Sequence, residues 1–97
     1  MMYYIVKYTV KPGTGKQFYQ DLIDAKVIEQ TLENPGCHRY DFYFPKEDEN
    51  TVYLTEFWEN DDYLKIHQAQ PYRKTHADIK AKYCLNVDVM ECDYCRH

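Results

Sequence analysis

The sequence lacks the features that mark several common functional classes. Lys and Arg make up only 12 of its 97 residues against 16 Asp and Glu, a formal net charge of −4. It therefore carries no basic footprint for binding nucleic acid. No apolar run approaches the roughly 20 residues that span a bilayer. The amino terminus has no basic segment followed by a long apolar stretch, so we expect no signal peptide and no membrane segment.

Cysteine is present without the context of a disulfide-rich secreted protein. The four cysteines are Cys37, Cys84, Cys92 and Cys95. Without an export signal they favour a cytoplasmic protein with free thiols. The tail pairs Cys92 and Cys95 in a C-x-x-C motif close to His97, but a structural zinc site needs about four ligands. Because a second matching pair is missing, we predict no metal site and leave the role of the tail open.

Aromatic side chains are abundant, at 16% of the chain, with 11 Tyr, 4 Phe and 1 Trp. Tyrosine brings a large apolar face and a hydroxyl that needs a partner when it is buried. This is more amphipathic surface than one small core requires. The excess indicates a lined pocket, a subunit interface, or both.

Hydrophobic periodicity predicts one domain over residues 1–97 with an α+β fold. Alternation predicts strands over about 3–11, 37–44, 51–58 and 85–91. Helical spacing predicts a helix over about 16–32 and, around Pro71, two shorter ones over about 61–68 and 71–83. The order β-α-β-β-α-β is that of the ferredoxin-like fold, a four-stranded antiparallel sheet with helices on one face.

The second and third strands carry large side chains on both faces of the predicted sheet. His38, Tyr40, Phe42 and Trp58 are expected on one face, and Tyr43, Tyr53 and Phe57 on the other. The helices can cover only one of them, and water does not tolerate a large apolar patch on the second. We therefore predict a homodimer in which the sheets of two copies pack together.

Several short motifs resemble those of a known family. They are Pro-Gly-Cys-His-Arg-Tyr-Asp-Phe at 35–42, Tyr-Leu-Thr-Glu-Phe-Trp-Glu-Asn at 53–60, the helical segment 63–67 that ends in His67, and Pro-Tyr at 71–72. Together they resemble the antibiotic biosynthesis monooxygenase family of dimeric α+β barrels, in which a Glu-x-Trp closes the third strand and a histidine follows in the next helix. The resemblance covers Tyr3 to about Met90. It implies a cofactor-independent monooxygenase acting on a small aromatic substrate, quinol-like or polyphenolic.

The resemblance and the helical spacing nominate three catalytic residues. His67 matches the family's helix histidine and would take a proton from a phenolic or enolic substrate. Tyr72 and His76 share one stripe of the following helix, where Tyr72 could donate to a developing oxyanion. The alternative for each is ordinary packing.

Four aromatic residues are expected to line the substrate pocket. They are Trp58, Tyr40, Phe42 and Phe18. The alternative for each of them is a place in the ordinary hydrophobic core.

Two carboxylates lie at positions where the pattern favours apolar residues. Glu29 falls in the stripe of the first helix, where burial would raise its pKa toward that of a base. It lies in the last turns, however, where the stripe can already leave the sheet. Glu56 is similar on the third strand, and Arg39 on the adjacent strand is its expected partner if the register allows.

Departures from other relatives narrow the function. Haem-degrading relatives carry an Asn on the first strand, where this chain has Tyr8 and Thr9. They also carry a Trp-plus-His pair in the second helical region, where this chain has His67 and His76 and no Trp. Relatives that isomerise sugar-derived signals place a histidine in the first helix, and this helix has none. The oxygenase is therefore the favoured interpretation. A non-catalytic small-molecule binding or stress-response protein, and an isomerase, remain the alternatives.

Overall fold

A four-stranded antiparallel sheet carries the helices on one face in the computed structural model, which describes residues 1–92. Its strands lie in the order β2-β3-β1-β4. This confirms the predicted ferredoxin-like α+β fold. In chain order the elements are β1 (Met2–Val10), α1 (Gly15–Asp24), α2 (Val27–Leu32), β2 (Cys37–Tyr43), β3 (Thr51–Trp58), α3 (Asp61–Gln68), α4 (Tyr72–Tyr83) and β4 (Cys84–Cys92).

The first helical segment is broken, so the prediction of one continuous helix over 16–32 is wrong. Lys26 adopts a left-handed conformation with φ of +61° between α1 and α2. The break changes which side chains face the sheet: Val27 and Thr31 are buried, whereas Leu32 is 48% exposed. Glu29 lies on the exposed side of α2, so its carboxylate keeps contact with water.

A β-bulge interrupts the alternation of β2. The register shifts between Cys37, which lies opposite Trp58, and Arg39, which lies opposite Phe57. Directly opposed residues share a face of the sheet, so Cys37 packs towards the helices with Trp58. His38 falls in the bulge and is exposed, and its Nε2 lies 3.3 Å from Oε1 of Glu59. The prediction that His38 shares a face with Tyr40 and Trp58 is therefore wrong.

The core lies between the sheet and the helices. Val6, Tyr8 and Val10 of β1 are buried there against Phe18 and Leu22 of α1. Full burial of such side chains contributes about 1.5–3 kcal/mol each to the free energy of unfolding. Among the described residues, no helix has the length and apolar character needed to cross a membrane.

Contacts at the start of α3 fix the position of the candidate site. The side chain of Asn60 caps the helix by accepting a hydrogen bond from the backbone N–H of Tyr63, at 3.2 Å. The amide of Asn34 donates to the carbonyl of Tyr63, also at 3.2 Å. Gly36 packs directly against the Tyr63 ring, where a Cβ would collide. These contacts hold α3 against the loop before β2, and His67 lies in its last turn.

Candidate active site

A cavity of about 190 Å³ opens between the sheet and the helices α3 and α4. An apolar cavity of roughly 150 Å³ is enough to bind benzene, so this one suits a single substituted ring. Its apolar and aromatic wall is formed by Tyr4, Val6, Tyr8, Tyr40, Leu64, Val87 and Val89. Its polar groups are those of Glu56, His67, Gln68, Arg73, His76 and Lys80.

His67 forms a hydrogen bond with Tyr72. The histidine is only 2% exposed, and its ring centroid lies 4.7 Å from that of Trp58. Its Nδ1 lies 2.5 Å from the hydroxyl of Tyr72. Burial raises the pKa of Tyr72, so the phenol keeps its proton. When the phenol donates to Nδ1, the ring proton of His67 lies on Nε2, and that N–H is available to a ligand.

His76 is held in one tautomer by Arg73. Arg73, one turn earlier in α4, donates from Nη1 to Nδ1 of His76 at 2.7 Å. A guanidinium can only donate, so the ring proton of His76 lies on Nε2. That atom is buried and has no hydrogen-bond partner among residues 1–92. A buried unsatisfied donor costs about 1–3 kcal/mol, which a ligand acceptor in the cavity would recover.

Both histidines are neutral near pH 7. Burial first, and the positive charge of Arg73 second, lower the pKa of His67 to about 4. Burial and the charges of Arg73 and Lys80 lower the pKa of His76 to about 2. With such values neither imidazole is suited to take a proton from a phenol at neutral pH. As neutral N–H donors, they are suited to stabilise an oxyanion.

Glu56 is the carboxylate of this cavity. Its Oε1 accepts a hydrogen bond of 3.1 Å from the indole N–H of Trp58, two residues along the same face of β3. Burial raises the pKa of Glu56, partly offset by that hydrogen bond and by the charges of Arg73 and Lys80. A carboxylate with a raised pKa is a stronger base than an exposed one.

The expected partnership between Glu56 and Arg39 is wrong. Arg39 lies on the opposite face of the sheet, with its guanidinium carbon 5.4 Å from the centroid of the Phe57 ring. Its Nε lies 3.5 Å from the carboxylate of Asp41. The bulge in β2 sets this register, and it leaves Glu56 to the cavity.

Comparison with known proteins assigns the chain to a family. The sequence profile of the antibiotic biosynthesis monooxygenase family matches residues 1–78. The chain belongs to this family. A curated relative, protein sll1783 of Synechocystis, is 32% identical over 63 residues. That match covers 65% of this chain and 42% of the relative, so the chain spans less than half of the relative's length.

Solved structures share the family fold. The PA3566 protein of Pseudomonas aeruginosa is 20% identical with a TM-score of 0.84, covering 98% of this chain and 94% of its own. A solved antibiotic biosynthesis monooxygenase is 22% identical with a TM-score of 0.82, covering 99% of this chain and all of its own. A conserved protein of Methanosarcina mazei is 21% identical with a TM-score of 0.82, covering 94% and 89%. At these identities the likeness shows the fold alone.

The three residues nominated as catalytic in this family member lie close together. His67 and His76 both line the cavity. Tyr72 reaches His67 with its hydroxyl, while its ring lines a separate cavity of about 330 Å³ beside Tyr63 and Ile66. Tyr72 therefore contacts the site through His67.

The four nominated aromatic residues divide between the cavity and the core. Tyr40 lines the cavity, and Trp58 is fully buried beneath His67. Phe18 is fully buried in the core, where its ring centroid lies 5.1 Å from that of Tyr8. Phe42 packs at the edge of the core, 5.6 Å from Tyr40. The alternative of ordinary packing thus describes Phe18 and Phe42.

Sequence reasoning missed two cationic residues of the cavity, Arg73 and Lys80. Both lie on α4, three residues before and four residues after His76. Side chains at these spacings share one helix face, so the position of His76 was the available signal for both. The apolar residues of α4 favoured an interpretation of this helix face as core packing, so its cationic residues were not considered.

Metal ligands do not converge within residues 1–92. No three His, Cys, Asp or Glu side chains there form a group that could hold an ion. Cys37, Cys84 and Cys92 are free thiols. Burial raises the pKa of Cys37 to about 11 and that of Cys84 to about 11. The remainder of the C-x-x-C tail, Cys95 and His97, lies outside the described residues.

Proposed function

We propose that this chain is a cofactor-independent monooxygenase of a single-ring quinol. The observation that carries the proposal is the meeting of the Glu56 carboxylate with two neutral imidazole N–H donors in a cavity sized for one ring. Family membership supports the reaction class. The small volume favours one ring over the polyphenolic alternative.

Glu56 is the general base in this proposal, in place of His67. It accepts the proton of a ring hydroxyl, and the Nε2–H of His67 donates to the quinolate oxygen that forms. His76 offers a second N–H to the substrate, and the tyrosine wall that includes Tyr40 contacts the ring. Tyr72 is a positioning residue, because it sets the tautomer of His67. A base and oriented donors each contribute about a hundredfold or more to such reactions.

The electrons for oxygen reduction come from the substrate. A quinolate is electron-rich and passes electrons to dioxygen, after which one oxygen atom bonds to a ring carbon. Loss of water from this adduct leaves a hydroxyquinone. One quinol and one dioxygen thus give one hydroxyquinone and one water, with four electrons taken from the ring and no external reductant.

The same proposal includes a homodimer. The sheet face opposite the helices carries an apolar group at one end, where Tyr3 and Phe57 lie with ring centroids 4.4 Å apart. Ile5 lies beside them opposite Met90, which is 61% exposed. A second copy packed on this face would cover the group, as in a dimeric α+β barrel.

The free thiols of Cys37, Cys84 and Cys92 fit a reducing, cytoplasmic location.

Isotope labelling tests the reaction. The purified chain is incubated with a panel of single-ring quinols under labelled dioxygen, and the products are analysed by mass spectrometry. We expect one labelled oxygen per product and one dioxygen consumed. Binding of the quinols without oxygen uptake would instead support the non-catalytic alternative. A rearranged product without added oxygen would support an isomerase, and either result would refute the monooxygenase.

A further inference from the structure

We propose that Arg73, His76 and Lys80 form an anion subsite in the cavity, which selects aromatic substrates that carry a carboxylate. The inference rests on the proposed function, because it names the substrate class of the same site. In this proposal the aromatic ring of the substrate packs against Tyr4, Tyr8 and Tyr40, and its carboxylate binds the side chains of α4.

The balance of charge in the cavity is the first support. Two cationic side chains, Arg73 and Lys80, line it against one carboxylate, that of Glu56, because both histidines are neutral. Among residues 1–92, neither cation forms an ion pair with a carboxylate. The chain as a whole carries a net charge of −4. The cavity is thus a local excess of positive charge on an acidic protein, which favours an anionic ligand.

The unsatisfied donor of His76 is the second support. Arg73, His76 and Lys80 are spaced three and four residues apart, so they follow one another along a single face of α4. Within the described part of the chain, Nε2 of His76 is buried without a hydrogen-bond partner. Arg73 uses only Nη1 on His76 and keeps other N–H groups for a ligand. Three donors in a row suit a carboxylate, which accepts several hydrogen bonds at once.

The placement of the charges gives the substrate an orientation. Glu56 lies on β3, in the sheet wall of the cavity, whereas the cations lie on α4, in the helix wall. A ring hydroxyl can therefore face Glu56 while a carboxylate on the same ring faces α4. The reverse orientation would bring the two carboxylates together. The volume of about 190 Å³ admits one ring with small substituents.

Binding measured without oxygen tests this subsite apart from catalysis. Isothermal titration calorimetry under nitrogen would compare gentisate, a dihydroxybenzoate, with its uncharged amide and with acetate. We expect the wild-type chain to bind gentisate about 10-fold or more tightly than the amide, since hydrogen bonds to a charged group are the stronger ones. Acetate, which has no ring, should bind about 10-fold or more weakly than gentisate.

Two variants and a matched control assign the effect to α4. Arg73→Gln and Lys80→Gln should each weaken gentisate binding about 10-fold and leave binding of the amide within about twofold. Lys74→Gln is the control, because Lys74 is on the same helix, is 84% exposed and pairs with Asp78. It should change neither affinity.

Three results would overturn the subsite. They are equal affinity for gentisate and its amide, a preference for gentisate that survives in both variants, and no binding of gentisate at millimolar concentration. Since no oxygen is present, the outcome is independent of turnover. Preferential gentisate binding in a protein that never consumes oxygen would refute the monooxygenase and leave the anion subsite standing.

Discussion

The hydroxyl of Tyr72 lies 2.5 Å from Nδ1 of His67. This contact couples the tautomer of the histidine to the phenol, because a phenol that donates to Nδ1 leaves the ring proton on Nε2. It also joins α4 to α3. The proposed reaction uses the tautomer in which Tyr72 donates, and in that tautomer His67 presents its Nε2–H to a ligand.

Replacing Tyr72 with phenylalanine tests that relationship. Tyr72→Phe leaves Nδ1 without its donor, so the Nδ1–H tautomer gains population and kcat should fall about 10-fold with a smaller change in KM. Nitrogen NMR of the His67 ring reads the tautomer directly. Tyr63→Phe is the matched control, because Tyr63 lines the same neighbouring cavity. An unchanged tautomer in Tyr72→Phe would refute the positioning role.

The buried histidines predict a loss of stability on mild acidification. His67 has its pKa lowered to about 4 in the folded state, whereas in the unfolded chain it is about 6.5. Below pH 6.5 the unfolded state binds a proton that the folded state does not, so the free energy of unfolding falls until about pH 4. The loss from this group is roughly 3 kcal/mol. His76, with a pKa of about 2, extends the loss to lower pH.

Chemical denaturation as a function of pH measures this effect. His76→Gln should reduce the loss of stability between pH 6.5 and 4, because only the contribution of His67 remains. Asp21, whose pKa is lowered by the hydrogen bond from Tyr83, loses its contribution only below this window. The same pH dependence in wild type and His76→Gln between pH 6.5 and 4 would contradict the burial of a neutral His76.

The close packing of Gly36 predicts sensitivity to one methyl group. In Gly36→Ala the added Cβ would collide with the Tyr63 ring, so either α3 or the loop before β2 must shift. We expect a loss of about 1–3 kcal/mol in the free energy of unfolding. Chemical denaturation of Gly36→Ala beside wild type measures the loss. A Gly36→Ala variant as stable as wild type would contradict the packing at α3.

The proposed dimer predicts that the free sheet face is sensitive to charge. Met90→Arg places a cation on that face and should convert the dimer to a monomer of 11.8 kDa in analytical ultracentrifugation. Ile66→Arg changes a comparably exposed side chain, at 52%, on α3 and should leave the dimer intact. A wild-type chain that sediments as a monomer at micromolar concentration would refute the dimer.

The fold followed from the sequence wherever one face of an element is buried. Val52, Leu54 and Trp58 alternate along β3 because they share the core side, and that strand begins and ends where predicted. The two failures are local. Lys26 breaks the first helix with a left-handed backbone conformation that hydrophobic periodicity does not predict. The bulge at His38 adds one residue to β2, and a strictly alternating pattern does not predict such an insertion.

The candidate site could be predicted from the sequence only in part, because its chemistry depends on contacts between distant residues. The family resemblance pointed to His67, but the protonation state of a histidine depends on its burial and its neighbours. The tautomer of His67 depends on Tyr72, and its low pKa on burial and Arg73. Glu56 emerged as the base only once the strand register had placed Arg39 on the other face. These are long-range pairings, which a linear pattern does not encode.

The central claim is that Glu56 is the base of an oxygen-consuming reaction. Oxygen uptake with a reactive single-ring quinol would be compared in wild type, Glu56→Gln and Glu59→Gln. Glu56→Gln keeps an acceptor for the Trp58 N–H, so it should fold normally and lose about a hundredfold or more in kcat. Glu59, exposed beside His38, is the matched control and should retain full activity. Equal oxygen uptake by Glu56→Gln and wild type would contradict the account.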